Sequence, residues 1–324
     1  MDDIIGCGEM DVIDLAVAAD WEFDADFVGL VGDAAIRAGL TTRPIWPADL
    51  GETFRRLTTG EMDIRFLFDR ASTTSPEFVR LQEFVRGRGG DVLDPVEKLR
   101  WASDKATMHL EFIANGLNTP YTVILPPFAS RPELGITEAD LLPLGSPFVV
   151  KPANTTGGSL GVVKEVRTLD AVTAARRTYP TDKYLLQERI RPWEEGRKRF
   201  WFRGFFILGL VRCAWWDDGT HLYAEVIPDQ VERYGLRALY PIVRRIASVS
   251  KLRFFSTEIV RDETGRFIVV DYVNESCDMR LQSVHADGVP DALVAAIASR
   301  IASFVRKGLL PPGDGMDFNQ RGDA

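Results

Sequence analysis

The sequence predicts an α/β protein with more than one domain. Its 324 residues exceed the size at which a single hydrophobic core usually stops growing, and 45% of them are apolar. Short apolar runs alternate with helical patterns over the first hundred residues, which indicates a parallel sheet covered by helices. From Lys183 onward the pattern of apolar runs is mostly that of β-strands.

The N-terminal region, residues 1–100, is predicted to be a small α/β domain. Three short apolar runs have the length of buried strands, and apolar residues recur at helical spacing between and after them. The second helical stripe ends at a glycine-rich stretch, which is a usual stop for a helix. The predicted strands are Asp11–Val17, Thr41–Trp46 and Ile64–Phe68, and the predicted helices centre on Phe27–Ala35 and Phe78–Val85.

The central region, residues 101–190, is predicted to be a second, small domain. It begins with a helix that Ser103 would cap and Gly116 would end. Pro147–Lys151 and Leu160–Lys164 are predicted strands on either side of a polar, glycine-rich segment. This arrangement predicts a hairpin with a long tip.

The C-terminal region, residues 191–308, is predicted to be a domain built on a mixed sheet. Most of its apolar runs are strand candidates, and two longer stretches have helical periodicity. Residues 309–324 are rich in proline, glycine and polar residues and are predicted to form a flexible tail. The elements used below are a hairpin of Phe254–Val260 and Phe267–Val273 and two helices, Leu236–Val249 and Val289–Val305.

The charge and composition argue against several classes of protein. The formal net charge of −8 disfavours a nucleic-acid-binding protein, which needs a basic face for phosphate. The three cysteines are far apart in the chain, so neither a disulfide framework nor a zinc knuckle is expected. No basic leader with an apolar run and no 18-residue apolar stretch is present. We therefore expect a cytoplasmic protein with no membrane partner.

A lysine and a run of small residues mark the first candidate site. Lys151 ends a predicted strand, and Thr155, Thr156, Gly157, Gly158 and Ser159 follow it closely. Backbone N–H groups of such a loop can converge on one anion, and the hydroxyls and the lysine would add donors, so a polyphosphate is the natural ligand. The same segment is also typical of a flexible hairpin tip with a solvated lysine, and these residues alone do not separate the two interpretations.

Acidic residues on the C-terminal hairpin mark the second candidate site. Glu258 precedes the turn, Asp271 lies near the end of the second strand, and Asn274 and Glu275 follow. Converging oxygen ligands of this kind suit Mg²⁺, which retains waters and bridges substrate phosphates. The alternative interpretation is an acidic hairpin end that faces solvent.

Together the two segments resemble the ATP-grasp superfamily, over about residues 98–305. The resemblance implies an ATP-grasp fold in which the central region is the lid over the nucleotide and residues 1–100 form the leading domain. It implies Lys105 and Lys151 as the two ATP lysines, with Gly157, Gly158 and Ser159 in the lid. It implies adenine contacts from Gln187, Glu188 and Ile190, ribose contacts from Glu194 or Glu195, a phosphate contact from Arg199, and an intermediate-stabilising role for Arg212.

The magnesium ligands implied by the resemblance are Glu258, Asp271 and Asn274. The superfamily usually has one residue between the last two ligands, whereas this chain has two, so Glu275 is an alternative to Asn274. The proline-glycine turn that commonly follows is also missing. Arg280 lies in the segment that replaces it, and there it could grip a substrate carboxylate or pair with Asp278 or Asp287.

The resemblance implies an ATP-dependent ligase that uses Mg²⁺ or Mn²⁺. It would join a carboxylate to an amine, on a small molecule or a peptide, through an acylphosphate. Two alternatives stay open: an ATP-grasp kinase that phosphorylates a hydroxyl, and a nucleotide-binding regulatory module with little turnover. The expected partners are the carboxylate and amine substrates, and a homodimer is an open alternative to a monomer.

Overall fold

A computed structural model describes residues 10–155, 160–196 and 198–309. The described chain forms two compact units. The first comprises the residues up to Val96 together with those from Asp278 onward, and the second comprises Glu97–Cys277. The predicted domain boundaries at residues 100, 190 and 308 stay predictions, but the segment that follows Cys277 belongs to the same unit as the N-terminal region.

The first unit contains a four-stranded parallel sheet, as the alternating pattern predicts. Its order is β3-β2-β5-β6, and β1 pairs separately with β4, also in parallel. The predicted strand Asp11–Val17 is divided at Asp14, whose side chain accepts a hydrogen bond from the amide of Thr41 and pairs with Arg65 at 2.8 Å. The elements are β1 (Asp11–Ile13), β2 (Leu15–Ala18), α1 (Ala25–Arg37), β3 (Thr42–Ile45), α2 (Leu50–Thr59), β4 (Met62–Ile64), β5 (Phe66–Asp69), α3 (Val79–Gly87) and β6 (Asp91–Leu93).

The second unit begins with an antiparallel sheet of four strands, which we call the small sheet. Its order is β7-β10-β8-β9, and its inner side packs on apolar residues of the helices that follow β7 and β9. The predicted hairpin of the central region is the pair β8–β9. The elements are α4 (Val96–Ser103), α5 (Lys105–Ala114), β7 (Thr122–Leu125), α6 (Glu138–Leu141), β8 (Phe148–Pro152), β9 (Val163–Val166), α7 (Leu169–Arg176) and β10 (Tyr184–Gln187).

The second unit ends with an antiparallel sheet of five strands, which we call the large sheet. Its order is β15-β14-β13-β16-β17. The short strands β11 and β12 form a separate pair. The elements are β11 (Glu194–Glu195), β12 (Lys198–Arg199), β13 (Trp201–Ile207), β14 (Leu210–Trp216), β15 (Tyr223–Glu225), α8 (Pro228–Arg233), α9 (Leu239–Ser250), β16 (Phe254–Arg261) and β17 (Phe267–Asn274).

Helix α9 covers one face of the large sheet. Phe202, Phe255 and Ile259 share a buried cluster with Val243 of this helix. The approach is so close that a Cβ atom on Gly204 would lie 2.6 Å from the Val243 side chain. Because successive side chains of a strand alternate between faces, the neighbours of these residues point to the opposite face. We call that opposite face the site face.

The last described helix, α10 (Asp291–Gly308), packs against α1 in the first unit. Leu293, Ile297 and Ile301 are buried, as the predicted apolar stripe requires. An apolar residue at every third or fourth position lines one side of a helix, which is enough to cover that side against a neighbour. None of the described helices combines the length and the apolar character that crossing a membrane requires.

Candidate functional site

Two acids, Glu258 and Asp271, lie directly opposite each other on β16 and β17. Both belong to the site face, since Glu258 is also the register partner of Arg203. Arg203 Nη2 is 3.1 Å from Glu258 Oε1, and the indole Nε1 of Trp201 donates to Oε2 at 3.1 Å. Both oxygens of Glu258 are therefore held in place, which orients the carboxylate on the site face.

A β-bulge brings Asn274 to the same face as Asp271. Asn274 pairs with Ser256, and Asp271 pairs with Glu258, so three steps along β17 oppose two steps along β16. The two residues between them, Tyr272 and Val273, are both buried in the α9-side cluster. A classic bulge places two successive side chains on one side of the sheet in this way. The extra residue relative to the superfamily pattern is thus absorbed, and Asp271 and Asn274 share the site face.

Lys151, at the end of β8, joins the small sheet to the large sheet. Its ammonium donates to the carbonyl of Val270 at 3.0 Å and lies 3.9 Å from Asp271 Oδ1. The register shifts again between Asp271 and Val269, so Val270 lies outside the regular ladder. Burial lowers the pKa of Lys151 to about 8, with Asp271 opposing and Lys105 adding to the shift.

Lys105 approaches the same place from the start of α5. Its backbone N–H donates to the carbonyl of Ala153, just beyond β8, at 3.0 Å. Asp104 caps the helix by accepting from the amide of Thr107 at 3.0 Å, and it also pairs with Lys183. The cap is therefore Asp104 and not the predicted Ser103. The stronger acceptor occupies the cap because a carboxylate there also meets a lysine.

The electrostatics of the site face balance buried acids against buried bases. Burial raises the pKa of Glu258, Arg203 opposes the shift, and Asp271 adds to it. Burial would lower the pKa of Arg203, but the charge of Glu258 leaves it raised. Burial also raises the pKa of Glu275, which Lys105 opposes. Each carboxyl therefore depends on a neighbouring cation to remain ionised.

The donor set of the site face fits a magnesium ion that also binds phosphate. Glu258 and Asp271 offer carboxylate oxygens, and Asn274 offers an amide oxygen on the same face. Within the described ranges, no three His, Cys, Asp or Glu side chains are close enough to enclose a metal. A cation here would thus have two carboxylates and would complete its shell with phosphate and water, which is the usual arrangement for Mg²⁺.

The described ends of the glycine-rich loop are held by the segment that precedes β10. The Asp182 carboxylate accepts from the amides of Asn154 and Thr155 at 2.9 and 2.8 Å, and from the side chains of both. At the other end, Gly161 has φ +72°, and a Cβ there would lie 2.6 Å from the Tyr179 ring. The predicted ligands Gly157, Gly158 and Ser159, together with Thr156, lie outside the described residues.

Gln187 connects the end of β10 to the core of the large sheet. Its side-chain amide donates to Tyr272 Oη at 2.8 Å and to Thr122 Oγ1 at 3.2 Å. Tyr272 Oη in turn lies 2.8 Å from Nδ1 of His109. Burial and the Lys151 charge lower the pKa of His109 to about 4, so its ring is neutral in this hydrogen bond. The Gln187 side chain is thus committed to the protein interior.

The two residues predicted beside Gln187 follow it out of the strand. The amide of Glu188 donates to the carbonyl of Tyr121 at 2.9 Å, and its carboxylate accepts from the amide of Tyr121 at 3.2 Å. Ile190 is half-buried. An adenine contact from this segment stays a prediction for Glu188 and Ile190, and for Gln187 it would have to replace contacts already made.

Arg199, Glu194 and Glu195 are placed on the small β11–β12 pair. Arg199 contacts Asp218 at 2.6 Å and Glu194 at 3.3 Å. Glu195 is 3.4 Å from Arg233 instead. The two glutamates therefore have different surroundings, although they are adjacent in the sequence, because neighbouring strand residues point to opposite faces.

Arg212 and Arg280, predicted as catalytic, have other contacts here. Arg212 is exposed on β14, and its Nη1 donates to the carbonyl of Val211 at 3.2 Å. Arg280 is in the first unit and pairs with Asp278 at 2.6 Å and with Asp287 at 2.9 Å. These ion pairs correspond to the structural alternative for Arg280, and a catalytic role for either residue stays a prediction.

Arg203 and Trp201 were not predicted from the sequence, although both contact Glu258. The available signal was their spacing, since residues two apart in a strand share a face. Identifying that face as the site face requires the pairing of β13 with β16, which spans more than fifty residues of sequence. Because both are arginines on neighbouring strands, residue type alone favoured the exposed Arg212 as a site residue just as much as Arg203.

Comparison with known proteins identifies the fold. No family model matches the chain, and a search of curated proteins gives no match by sequence. Among solved structures, a RimK domain protein ATP-grasp from Sphaerobacter thermophilus is similar with a TM-score of 0.59 and 18% identity, over 90% of this chain and 98% of that one.

Two further solved structures are complexes with nucleotide. D-alanine–D-alanine ligase from Bacillus anthracis with ATP has a TM-score of 0.58 and 15% identity, over 92% of this chain and 99% of that one. The ATP-grasp ligase PsnB with minimal precursor, Mg and ADP has a TM-score of 0.56 and 13% identity, over 90% and 97%. The chain therefore has the ATP-grasp fold, as the sequence resemblance implies.

Proposed function

We propose that this chain, with its ATP-grasp fold, is an ATP- and magnesium-dependent ligase that joins a carboxylate to an amine through an acylphosphate. The observation that carries the proposal is the convergence of Lys151, Glu258, Asp271 and Asn274. Lys151 reaches the large sheet from the small sheet. Glu258, Asp271 and Asn274 share the site face of the large sheet. The likeness to ATP-grasp ligases supports the same class of reaction.

Each residue of the site face has a distinct part in this proposal. Glu258, Asp271 and Asn274 would hold Mg²⁺, which when bound neutralises phosphate charge. Lys151 and Lys105 would contact the phosphates of ATP from two directions. Arg203 and Trp201 hold the carboxylate of Glu258 in one orientation, so they act as positioning residues. Catalysis would depend on placement and charge, without a covalent nucleophile.

The proposed reaction has two steps. A substrate carboxylate oxygen attacks the γ-phosphorus, the bond to the β-γ bridging oxygen breaks, and ADP leaves. The amine then attacks the carbonyl carbon of the acylphosphate, loses its proton, and expels inorganic phosphate. The substrates are a small molecule or a peptide, as D-alanine–D-alanine ligase and a PsnB complex with a precursor peptide suggest for this fold. We place the protein in the cytoplasm, where ATP is supplied.

Trapping the acylphosphate tests this proposal. The protein is incubated with ATP, Mg²⁺, hydroxylamine and pools of carboxylic acids, and hydroxamates are measured together with ADP and free phosphate. A ligase gives a hydroxamate and ADP only in pools that contain its carboxylate. A stable phosphorylated product with no hydroxamate would show a kinase instead, and nucleotide binding without any product would show a regulatory module.

A further inference from the structure

The ring of Tyr272 is fixed in one place, although no step of the proposed reaction uses it. Its hydroxyl lies 2.8 Å from Nε2 of Gln187 and 2.8 Å from Nδ1 of His109. The ring packs edge-on against the rings of His109 and Phe112, with centroids 5.7 and 5.5 Å apart. The residue is fully buried. Contacts at the hydroxyl and along the ring therefore leave it a single orientation.

Lys151 places its ammonium over this ring. Its Nζ is 5.3 Å from the centroid of the Tyr272 ring, within the distance of about 6 Å over which a cation and an aromatic face attract each other. The lysine side chain is only 8% exposed, so water screens this attraction little. The ring of Tyr272 is therefore a direct neighbour of the charge that the proposed function assigns to the phosphates of ATP.

The hydrogen bonds of Lys151 leave donors for a ligand. An ammonium group has three N–H donors. Within the part of the chain that the structure describes, Nζ makes one hydrogen bond, to the carbonyl of Val270 at 3.0 Å. The carboxylate of Asp271 lies 3.9 Å away, which is beyond hydrogen-bond distance. Two donors of a buried ammonium thus remain for an anion, as a phosphate-binding lysine requires.

An aromatic ring and a carbonyl stabilise a buried lysine in different ways. Burying an ammonium is unfavourable unless its neighbours stabilise the charge. A carbonyl or a carboxylate does so by accepting an N–H group, which is then no longer available to a ligand. The face of a ring attracts the charge through its quadrupole and leaves the N–H groups to stronger acceptors. Tyr272 therefore stabilises the charge of Lys151 without using its donors.

We propose, on the basis of the function proposed above, that Tyr272 is the positioning residue of Lys151. Its ring holds the ammonium beside the site face, and the contacts with His109 and Gln187 hold the ring. Loss of the ring should then weaken the binding of nucleotide only in a protein that has Lys151. Loss of the hydroxyl should matter less, because the packing against His109 and Phe112 remains.

Titration calorimetry with a non-hydrolysable ATP analogue and Mg²⁺ tests this role. We expect Tyr272→Leu to bind the analogue about tenfold more weakly than the wild type, since the ring is lost. Tyr272→Phe keeps the ring and should bind like the wild type. In the Lys151→Ala background, Tyr272→Leu should have no further effect, because a positioning residue acts only through the residue that it positions.

Phe202→Leu is the matched control, because Phe202 is a buried ring of the same apolar cluster on β13, two strands away from β17. It should bind the analogue like the wild type, which separates loss of the lysine contact from loss of core packing. All variants are compared at a temperature where circular dichroism shows them folded. Tyr272→Met replaces Tyr272→Leu if the latter does not fold, since methionine fills irregular gaps in a core.

Each contrary outcome has its own meaning. Wild-type affinity of the folded Tyr272→Leu variant would overturn the role of Tyr272. Equal weakening by Tyr272→Phe would also overturn it, because the effect would then come from the hydroxyl and Gln187. A full further loss in the Lys151→Ala background would show that Tyr272 acts on another part of the site. Wild-type affinity of Lys151→Ala alone would instead contradict the proposed nucleotide site, and the role of Tyr272 with it.

Discussion

Among single residues, Glu258 illustrates how the site face keeps a buried carboxylate charged. Burial raises the pKa of its carboxyl, and Arg203 at 3.1 Å opposes that shift. Removing one partner of such a buried pair strongly destabilises the folded protein, because the other partner remains charged and buried. Asp271 is more exposed and its side chain meets Lys151 only at 3.9 Å, so its removal disturbs the fold less.

Substitution of Asp271 and substitution of Glu258 should therefore have different effects on stability. Asp271→Asn should keep its melting temperature and lose magnesium-dependent ATP turnover by at least about a hundredfold, equivalent to about 3 kcal/mol. Glu258→Gln should lose turnover and also melt at a lower temperature, because Arg203 is left unpaired. Glu225→Gln, an exposed glutamate on β15 in the same row of the sheet, is the control and should behave as the wild type. Near-normal turnover in both site variants would remove the proposed metal site.

His109 predicts a pH dependence of stability. Its folded pKa of about 4 lies below the ordinary value of 6.5, so the unfolded chain takes up the proton first as the pH falls. The stabilisation is thus complete above pH 6.5 and is lost toward pH 4, by an amount of about 3 kcal/mol. His109→Asn keeps a side chain that can form a hydrogen bond with Tyr272 but does not titrate. Urea unfolding of both proteins across this range should give a shallower pH slope for the variant, and identical slopes would show that His109 is already charged or exposed.

Site residues were predictable from the sequence where the chemistry of the site restricts the residue type. They were less predictable where tertiary contacts decide between residues of the same type. Glu258 and Asp271 were predictable as a facing pair because they flank one short turn. Arg203, by contrast, has the same residue type as Arg212, and only the burial of one and the exposure of the other separates them. Burial depends on strand pairing across distant parts of the chain, which no local pattern encodes.

Among the elements, the bulge in β17 decides which residue completes the candidate metal site. Its two inward residues, Tyr272 and Val273, are buried together, and the residues on either side of them face outward. The superfamily spacing of one intervening residue would place the last ligand at Val273, which has no oxygen in its side chain, so counting alone leaves both Asn274 and Glu275 open. A bulge is a property of two paired strands, because its extra residue exists only relative to the partner strand, which has one residue fewer over the same length.

Changing the length of the bulge should separate these two possibilities. Deleting Val273 leaves a regular strand in which Asp271 and Asn274 still share a face, so turnover should persist despite a stability loss of about 1–3 kcal/mol for the missing side chain. Inserting an alanine between Val273 and Asn274, with Tyr272 and Val273 still inward at the bulge, places the alanine on the site face and turns Asn274 toward the core, so turnover should be abolished. Activity is compared at a temperature where circular dichroism shows both variants folded. An active insertion variant with an inactive deletion variant would contradict the role given to the bulge.

The segment before β10 makes a prediction about the glycine-rich loop. Asp182 accepts two backbone amides, so Asp182→Ala leaves them without acceptors and should cost about 1–3 kcal/mol locally. Hydrogen exchange should become faster at the amides of Asn154 and Thr155, and nucleotide affinity should fall. Asp170→Ala in the first turn of α7 is the control. Unchanged exchange at both amides would show that the carboxylate does not hold this end of the loop.

Element types followed the sequence patterns more closely than element ends did. The strand pair around the glycine-rich segment and the stripe of α10 were predictable because period-two and helical patterns differ clearly. The cap of α5 was misplaced by one residue because Ser103 and Asp104 are both good caps, and only the contact with Lys183 favours the second. Likewise, the break at Asp14 follows from partners 27 and 51 residues away.

For the molecule as a whole, the sheets of the second unit share a buried apolar cluster and are also joined by polar contacts. Lys151 reaches the carbonyl of Val270 across 119 residues of sequence, and Gln187 reaches Tyr272 across 85. These contacts place the candidate phosphate-binding lysine beside the candidate metal ligands. The sequence resemblance predicted this meeting, but composition and periodicity alone could not, because they carry no information on which sheets pack together.

The most direct test is calorimetric titration of a non-hydrolysable ATP analogue with and without Mg²⁺. The wild type, Lys151→Ala and Lys164→Ala are compared, since Lys164 is 53% exposed on the neighbouring strand and pairs only loosely with Asp218, at 3.8 Å. The account predicts magnesium-dependent binding to the wild type and to Lys164→Ala, and binding at least about tenfold weaker to Lys151→Ala. Binding that is independent of magnesium and equal in all three proteins would contradict it.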